Sequence, residues 1–170
     1  LLIPMGESWD FTRSQAAALA SIMAMVGIAG SVLFGWAADK LGGGRTLALI
    51  GCNCAILWSL LLLDLPFFMV AIVVGLLGLH GVGAVPAFGR GLSDAYGQAS
   101  YGRGVGLASV ISLPFKGVAM LGASRVATET GSFAIPITIM ACVFAAAIVC
   151  GLYAAGGKKA VAIPGELKLA

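Results

Sequence analysis

Residues 34–47 read FGWAADKLGGGRTL. The stretch holds three consecutive glycines, Gly42 to Gly44, with one acid, Asp39, and two bases, Lys40 and Arg45. Long apolar runs flank it on both sides. A chain gathers its charge and its loosest backbone in one place where it leaves one environment and turns back into it. Composition says which environment that is. The 170 residues are 60% hydrophobic and 10% charged, against about 25% charged in an ordinary soluble domain. That is too little polar material for a skin facing water. Hydrocarbon needs no such skin, so a lipid bilayer is the expected solvent and residues 38–45 the expected turn at its surface.

A helix needs roughly 20 apolar residues to cross the hydrocarbon core. Five stretches qualify, at about 14–37, 46–63, 67–91, 104–126 and 134–155, separated by short polar or Gly/Pro breaks. The expected fold is therefore all-α, a polytopic membrane bundle of five transmembrane helices over residues 14–155. Residues 1–13 are expected to be an extracytoplasmic loop and residues 156–170 a cytoplasmic tail. Thr12 with Gln15 makes a capping-box pattern at the start of the first span, and Phe11 stands where a hydrophobic staple would.

Lysine and arginine set the orientation, because they favour the cytoplasmic side. Lys40, Arg45, Arg90, Arg103, Lys158, Lys159 and Lys168 fall on one side of five alternating spans, and Arg13 and Arg125 on the other. This places the glycine-rich turn and the C-terminus in the cytoplasm, and the protein in a cell membrane such as the bacterial inner membrane. The first residue is Leu, and Pro4, Glu7 and Asp10 replace the basic and apolar regions of a leader. The expectation is a piece of a longer chain.

Several functions are disfavoured. The net charge is +3, but the bases are spread over short loops and a tail and build no face for nucleic acid. Cys52 and Cys54 point to different faces of one helix. Cys142 and Cys150 lie about two turns apart, too far for a disulfide within a helix. All four read as small apolar fillers, with no metal site and no cofactor implied. No nucleophile stands at usable spacing from a base, so no enzyme chemistry is expected.

Small residues supply the packing. Gly27, Ser31 and Gly35 recur every four positions, and Gly75, Gly78 and the Gly81/Gly83 pair serve the third span; such stripes let helix backbones approach closely. In the turn, Asp39 is placed to accept hydrogen bonds from amides at a helix N-terminus, and Arg45 to pair with acids or carbonyls. Gly42 to Gly44 allow backbone angles closed to other residues. A phosphate-binding loop is excluded by spacing, since GxxxxGK[ST] is absent and no strand leads in.

GWAADKLGGGR resembles the loop signature of the major facilitator superfamily, roughly G-x-x-x-D-R/K-x-G-G-R-R/K. Gly35, Asp39, Lys40, Gly42, Gly43 and Arg45 match, and Gly44 stands where a base is usual. The family has two six-helix halves, with the signature between the second and third helices of each. The resemblance thus implies helices two to six of one half, an incomplete half-transporter. YGRGVGL before the fourth span, TETGSFAIP before the fifth and the basic tail are similar to the C-terminal half. The implied partners are the missing N-terminal half and the bilayer. Asp39 would then lie at the interface between halves, with residues 35–45 as a latch that holds one conformation and releases it in the next.

Polar groups inside the spans suggest the cargo. A charge at the bilayer centre costs at least about 2.5–3.5 kcal/mol, so it carries a functional expectation. Lys116 sits near the middle of the fourth span, with Ser112 and Ser109 one and two turns back on the same stripe, and Pro114 nearby. Either Lys116 faces a central cavity and binds an anionic group, or it pairs with an acid of the missing half or snorkels. Oxalate/formate antiporters and monocarboxylate carriers of the superfamily hold carboxylates with intramembrane cations, which implies a small organic anion, carried by an antiporter or symporter. The first span has no base after Arg13, which favours a monocarboxylate. His80, near the middle of the third span, reads as a substrate-site group or proton shuttle, or as a structural hydrogen-bond partner. Asn53 reads as interhelical glue. The rival class is a small complete membrane protein, a channel subunit or assembly scaffold. An intramembrane enzyme would need a nucleophile beside His80 and Lys116.

Overall fold

The computed structural model describes residues 2–98 and 101–156. Six helices appear, with no strand among the described residues: α1 (Leu2–Glu7), α2 (Arg13–Leu41), α3 (Gly43–Leu60), α4 (Phe67–Tyr96), α5 (Tyr101–Thr130) and α6 (Ala134–Gly156). Four of them, α2, α4, α5 and α6, are long and apolar enough to cross a membrane. At 1.5 Å per residue α2 runs for about 43 Å, more than the roughly 30 Å hydrocarbon core. The second expected span forms α3, a helix of 18 residues that carries Arg45 and Asn53 and falls short of those four in length and hydropathy. The tail, with Lys158, Lys159 and Lys168, lies outside the described residues.

The helices begin and end at identifiable chemistry. Thr12 caps α2 through a complete capping box, its Oγ1 accepting from the Gln15 amide while the Gln15 side chain accepts from the Thr12 amide. Phe11 packs edge-on against Phe67 of α4 with ring centroids 5.3 Å apart, so it ties the start of α2 to the start of α4. The glycine-rich turn is much shorter than expected. Both α2 and α3 run into it, and Gly42 alone connects them, at φ 85° and ψ 153°. Only glycine takes that conformation without steric cost. Its amide donates to the Ala38 carbonyl at 2.9 Å. Its own carbonyl accepts from Thr46 Oγ1 at 3.0 Å, and Thr46 is fully buried. One further difference lies at the start: residues 2–7, expected in a loop, form α1, with Met5 buried in the core.

Two helix pairs make the bundle. The first is α2 with α4, crossing at glycines. A Cβ on Gly30 would strike the Leu79 backbone, one on Gly78 the Met23 backbone, and one on Gly27 would reach Val82 and the Gly78 carbonyl. The expected stripe of Gly27, Ser31 and Gly35 is thus half right, for Gly30 makes the tightest approach on α2. Gly75 and Gly83 also face α2, whereas Gly81 meets nothing within 4 Å. The second pair is α3 with α6. A Cβ on Gly44 would come within 2.9 Å of the Ala155 amide nitrogen, and one on Gly151 within 2.8 Å of that of Ala48. Gly43 fits against Gly91 and Ala87 of α4 and joins the two pairs. The consecutive glycines of the signature therefore serve three purposes: Gly42 turns the chain, Gly43 seats α3 on α4, and Gly44 seats it on α6.

The core lies among α2, α3 and α4 and includes Leu19, Ile50, Cys54, Val74 and Ala87. By contrast α5 buries only Ala127 along its length. Gly102, Gly106, Gly117 and Gly122 of α5 have no neighbour within 4 Å. Large apolar side chains on α5 and α6 face outward, among them Phe115, Val118, Leu121 and Tyr153. In water such a surface would be strongly unfavourable, at roughly 25 cal/mol per Å2 of apolar area. The four long apolar helices and this surface identify a membrane protein.

Candidate functional site

The charged side chains of the signature gather at the end of the bundle marked by Gly42. Asp39 and Lys40 occupy the last turn of α2, which Gly42 terminates. Lys40 lies over the Trp36 ring one turn back, 4.2 Å from its centroid, a cation–π contact that holds the ammonium against its own helix. Asp39 engages Arg90 of α4, whose Nη1 lies 3.4 Å from Asp39 Oδ1. The Arg90 Nε lies 2.9 Å from Asp94 Oδ1, an ion pair one turn along α4. The partner of Asp39 is thus an arginine on the helix beside it, where helix-end amides were expected. Arg45 is exposed and forms no ion pair among the described residues.

Magnitude decides what the tie between Asp39 and Arg90 is for. The Asp39 side chain is 71% exposed and that of Arg90 47%. Exposed pairs contribute roughly 0–1 kcal/mol, and 3.4 Å is long for a charge-assisted bond. Such a contact does little for stability. It can be made and broken at small cost, as a switching contact requires.

Beside this pair runs an open groove of about 640 Å3 between α2, α4 and the start of α5, lined by Ser31, Asp39, Arg90, Ser93, Gln98 and Tyr101 among others. Gly35, the first residue of the signature, backs onto Pro86 of α4, with 3.7 Å between a Cβ there and the proline ring. That spacing lets α2 and α4 converge as they approach the pair.

The polar residues that the sequence places inside apolar stretches fall into two separate places. Lys116 stands on α5, exposed, between Pro114 and Gly117. Ser112 and Ser109 stand on the same helix one and two turns back, and Ser112 Oγ donates to the Ser109 carbonyl at 3.1 Å. These three share a stripe as the spacing predicts. His80 is elsewhere, 6% exposed within the pairing of α2 and α4, its ring tilted against Phe34 at 5.0 Å between centroids. His80 Nδ1 lies 2.7 Å from the Leu76 carbonyl oxygen. A carbonyl only accepts, so Nδ1 carries the proton of that bond. No hydrogen bond or ion pair among the described residues joins His80 to Lys116. Asn53 is half-buried, and its side chain makes no hydrogen bond to a described residue.

Arg90 was read from sequence only as a charge that sets orientation, and its pairing with a residue 51 positions away leaves no local signal. All four cysteines are free, with Cys54 buried and Cys52 exposed, as opposite faces of α3 demand. No group of three or more metal-ligating side chains forms among the described residues. No family model, characterised protein or solved structure matches the chain.

Proposed function

We propose that this chain is the C-terminal half of a secondary transporter of the major facilitator kind, moving a small organic anion, a carboxylate, by alternating access. The observation that carries the proposal is the Asp39–Arg90 contact, which joins α2 to α4 at the signature with a bond weak enough to open in each cycle. Five spans follow in this reading, with α3 crossing beside α6 and the Gly42 end facing the cytoplasm. The missing N-terminal half covers the exposed face of α5. Lys116 then faces the cavity between halves, where its ammonium neutralises the substrate carboxylate and Ser109 and Ser112 add hydrogen bonds. An unpaired ammonium at that depth costs at least about 2.5–3.5 kcal/mol, and a bound carboxylate offsets that cost in the occupied state. His80 is satisfied by the Leu76 carbonyl and packs against Phe34, so it acts in this scheme as part of the joint between α2 and α4.

The test is uptake of radiolabelled monocarboxylates by the intact protein. Lys116→Gln should abolish uptake and leave membrane insertion unchanged. Normal uptake in that variant removes Lys116 from the site.

A further inference from the structure

We infer that the groove at the Gly42 end is a second anion site, in which a carboxylate takes the place of Asp39 on Arg90 and so undoes the contact between α2 and α4. The inference takes its ligand class from the transport reading and everything else from the groove. Arginine carries five N–H donors in a fixed fork. In Arg90 the Nε is held by Asp94 at 2.9 Å on the same helix, while Nη1 reaches Asp39 only at 3.4 Å. Asp94 aims the guanidinium, and Asp39 holds it loosely from a side chain that is mostly in solvent.

Residues that carry neutral donors, Ser93, Gln98 and Tyr101, line the same groove together with the apolar Val85 and Pro86. The Tyr101 hydroxyl rests against Gly89, where a Cβ would come within 2.8 Å of it. A pre-aimed guanidinium flanked by neutral donors fits a planar carboxylate, which arginine takes with two parallel hydrogen bonds. The groove, at about 640 Å3, has room for a small organic acid beside the fork. A carboxylate seated on Nη1 and Nη2 displaces Asp39, and α2 is then released from α4. Ligand arrival and latch opening become one event.

The experiment is equilibrium binding of radiolabelled acetate to the intact protein in nanodiscs at constant ionic strength. It is run in a Lys116→Gln background so that the proposed midplane site is silent. Asp39→Asn should tighten binding about threefold, the factor set by losing an exposed competing ion pair. Arg90→Gln should abolish it, and Arg90→Lys should weaken it at least about tenfold, because lysine lacks the fork. Gly89→Ala should weaken it by pushing Tyr101 aside. A misfolded protein does not bind more tightly, so the gain in Asp39→Asn is the decisive outcome. Unchanged or weaker binding in Asp39→Asn, retained binding in Arg90→Gln, or preference for inorganic phosphate over acetate would overturn the assignment. Failure of the unsubstituted protein to take up any carboxylate would defeat the transport reading alone, since acetate binding at Arg90 is read without transport.

Discussion

Gly43 and Gly91 face one another across a single crossing of α3 and α4, yet alanine at the two positions should have opposite effects. A Cβ on Gly43 runs into the amide nitrogen and Cα of Gly91 and comes within 2.6 Å of the Ala87 carbonyl oxygen. All three obstacles are backbone, so no rotamer change relieves them. To restore ordinary contact at about 3.5 Å the helices must part by roughly 1 Å, which forfeits much of the dispersion energy along the crossing. Overpacking of this sort costs roughly 1–3 kcal/mol. Alanine's helix preference over glycine, about 0.8–1.0 kcal/mol, offsets part of that. A Cβ on Gly91 stays 3.8 Å from its nearest neighbours in Gly43, which is normal packing. With contacts well under 3 Å to backbone the cost lies toward the upper end, so Gly43→Ala should be destabilised by up to about 2 kcal/mol net, and Gly91→Ala should be neutral or slightly stabilised. Unfolding of the detergent-solubilised protein by increasing SDS, followed by helical circular dichroism, measures both. Equal stabilities, or a less stable Gly91→Ala, would refute the placement of α3 on α4.

Other outcomes follow from the same geometry. Asp39→Ala should slow turnover more than it alters substrate affinity in uptake assays, and an unchanged rate would remove the latch. Thr12→Ala breaks the capping box and should cost about 1 kcal/mol in the same SDS titration; no change would mean that α2 does not need its cap. Single cysteines at positions 41 and 64 should react with a membrane-impermeant maleimide from opposite faces of the membrane, and reaction from one face would show that α3 does not cross.

The apolar runs made the long helices legible, because lipid-facing and buried residues alike must be apolar in a bilayer. Their ends were less legible. The first span was expected to end at Ala37, but Asp39 and Lys40 continue the helix to Leu41: charged residues at a helix end need only reach water, and Gly42, with its positive φ, is the residue that stops it. Pro86 and Pro114 lie inside helices, so proline does not mark the helix ends in these spans. Pro4 and Gly6 concealed α1. The signature glycines were visible as a motif, yet which of them turns and which of them pack depends on Gly91 and Gly151, far along the chain. The same holds for Arg90. The stripe of Lys116, Ser112 and Ser109 follows from helical spacing alone, but the open face of α5 does not, because its glycines recur as they do on helices that are tightly packed.

A connection of one residue leaves no slack. With only Gly42 between them, α2 and α3 cannot slide past each other, and α6 is wedged onto α3 at Gly44 and Gly151. A push on the end of α2 is thus delivered through three helices at once, as a lever delivers it, whereas α5 is attached mainly at its ends and receives none of it. Lengthening the joint by two or three residues would act as a clutch, letting α2 travel while α3 and α6 stay put.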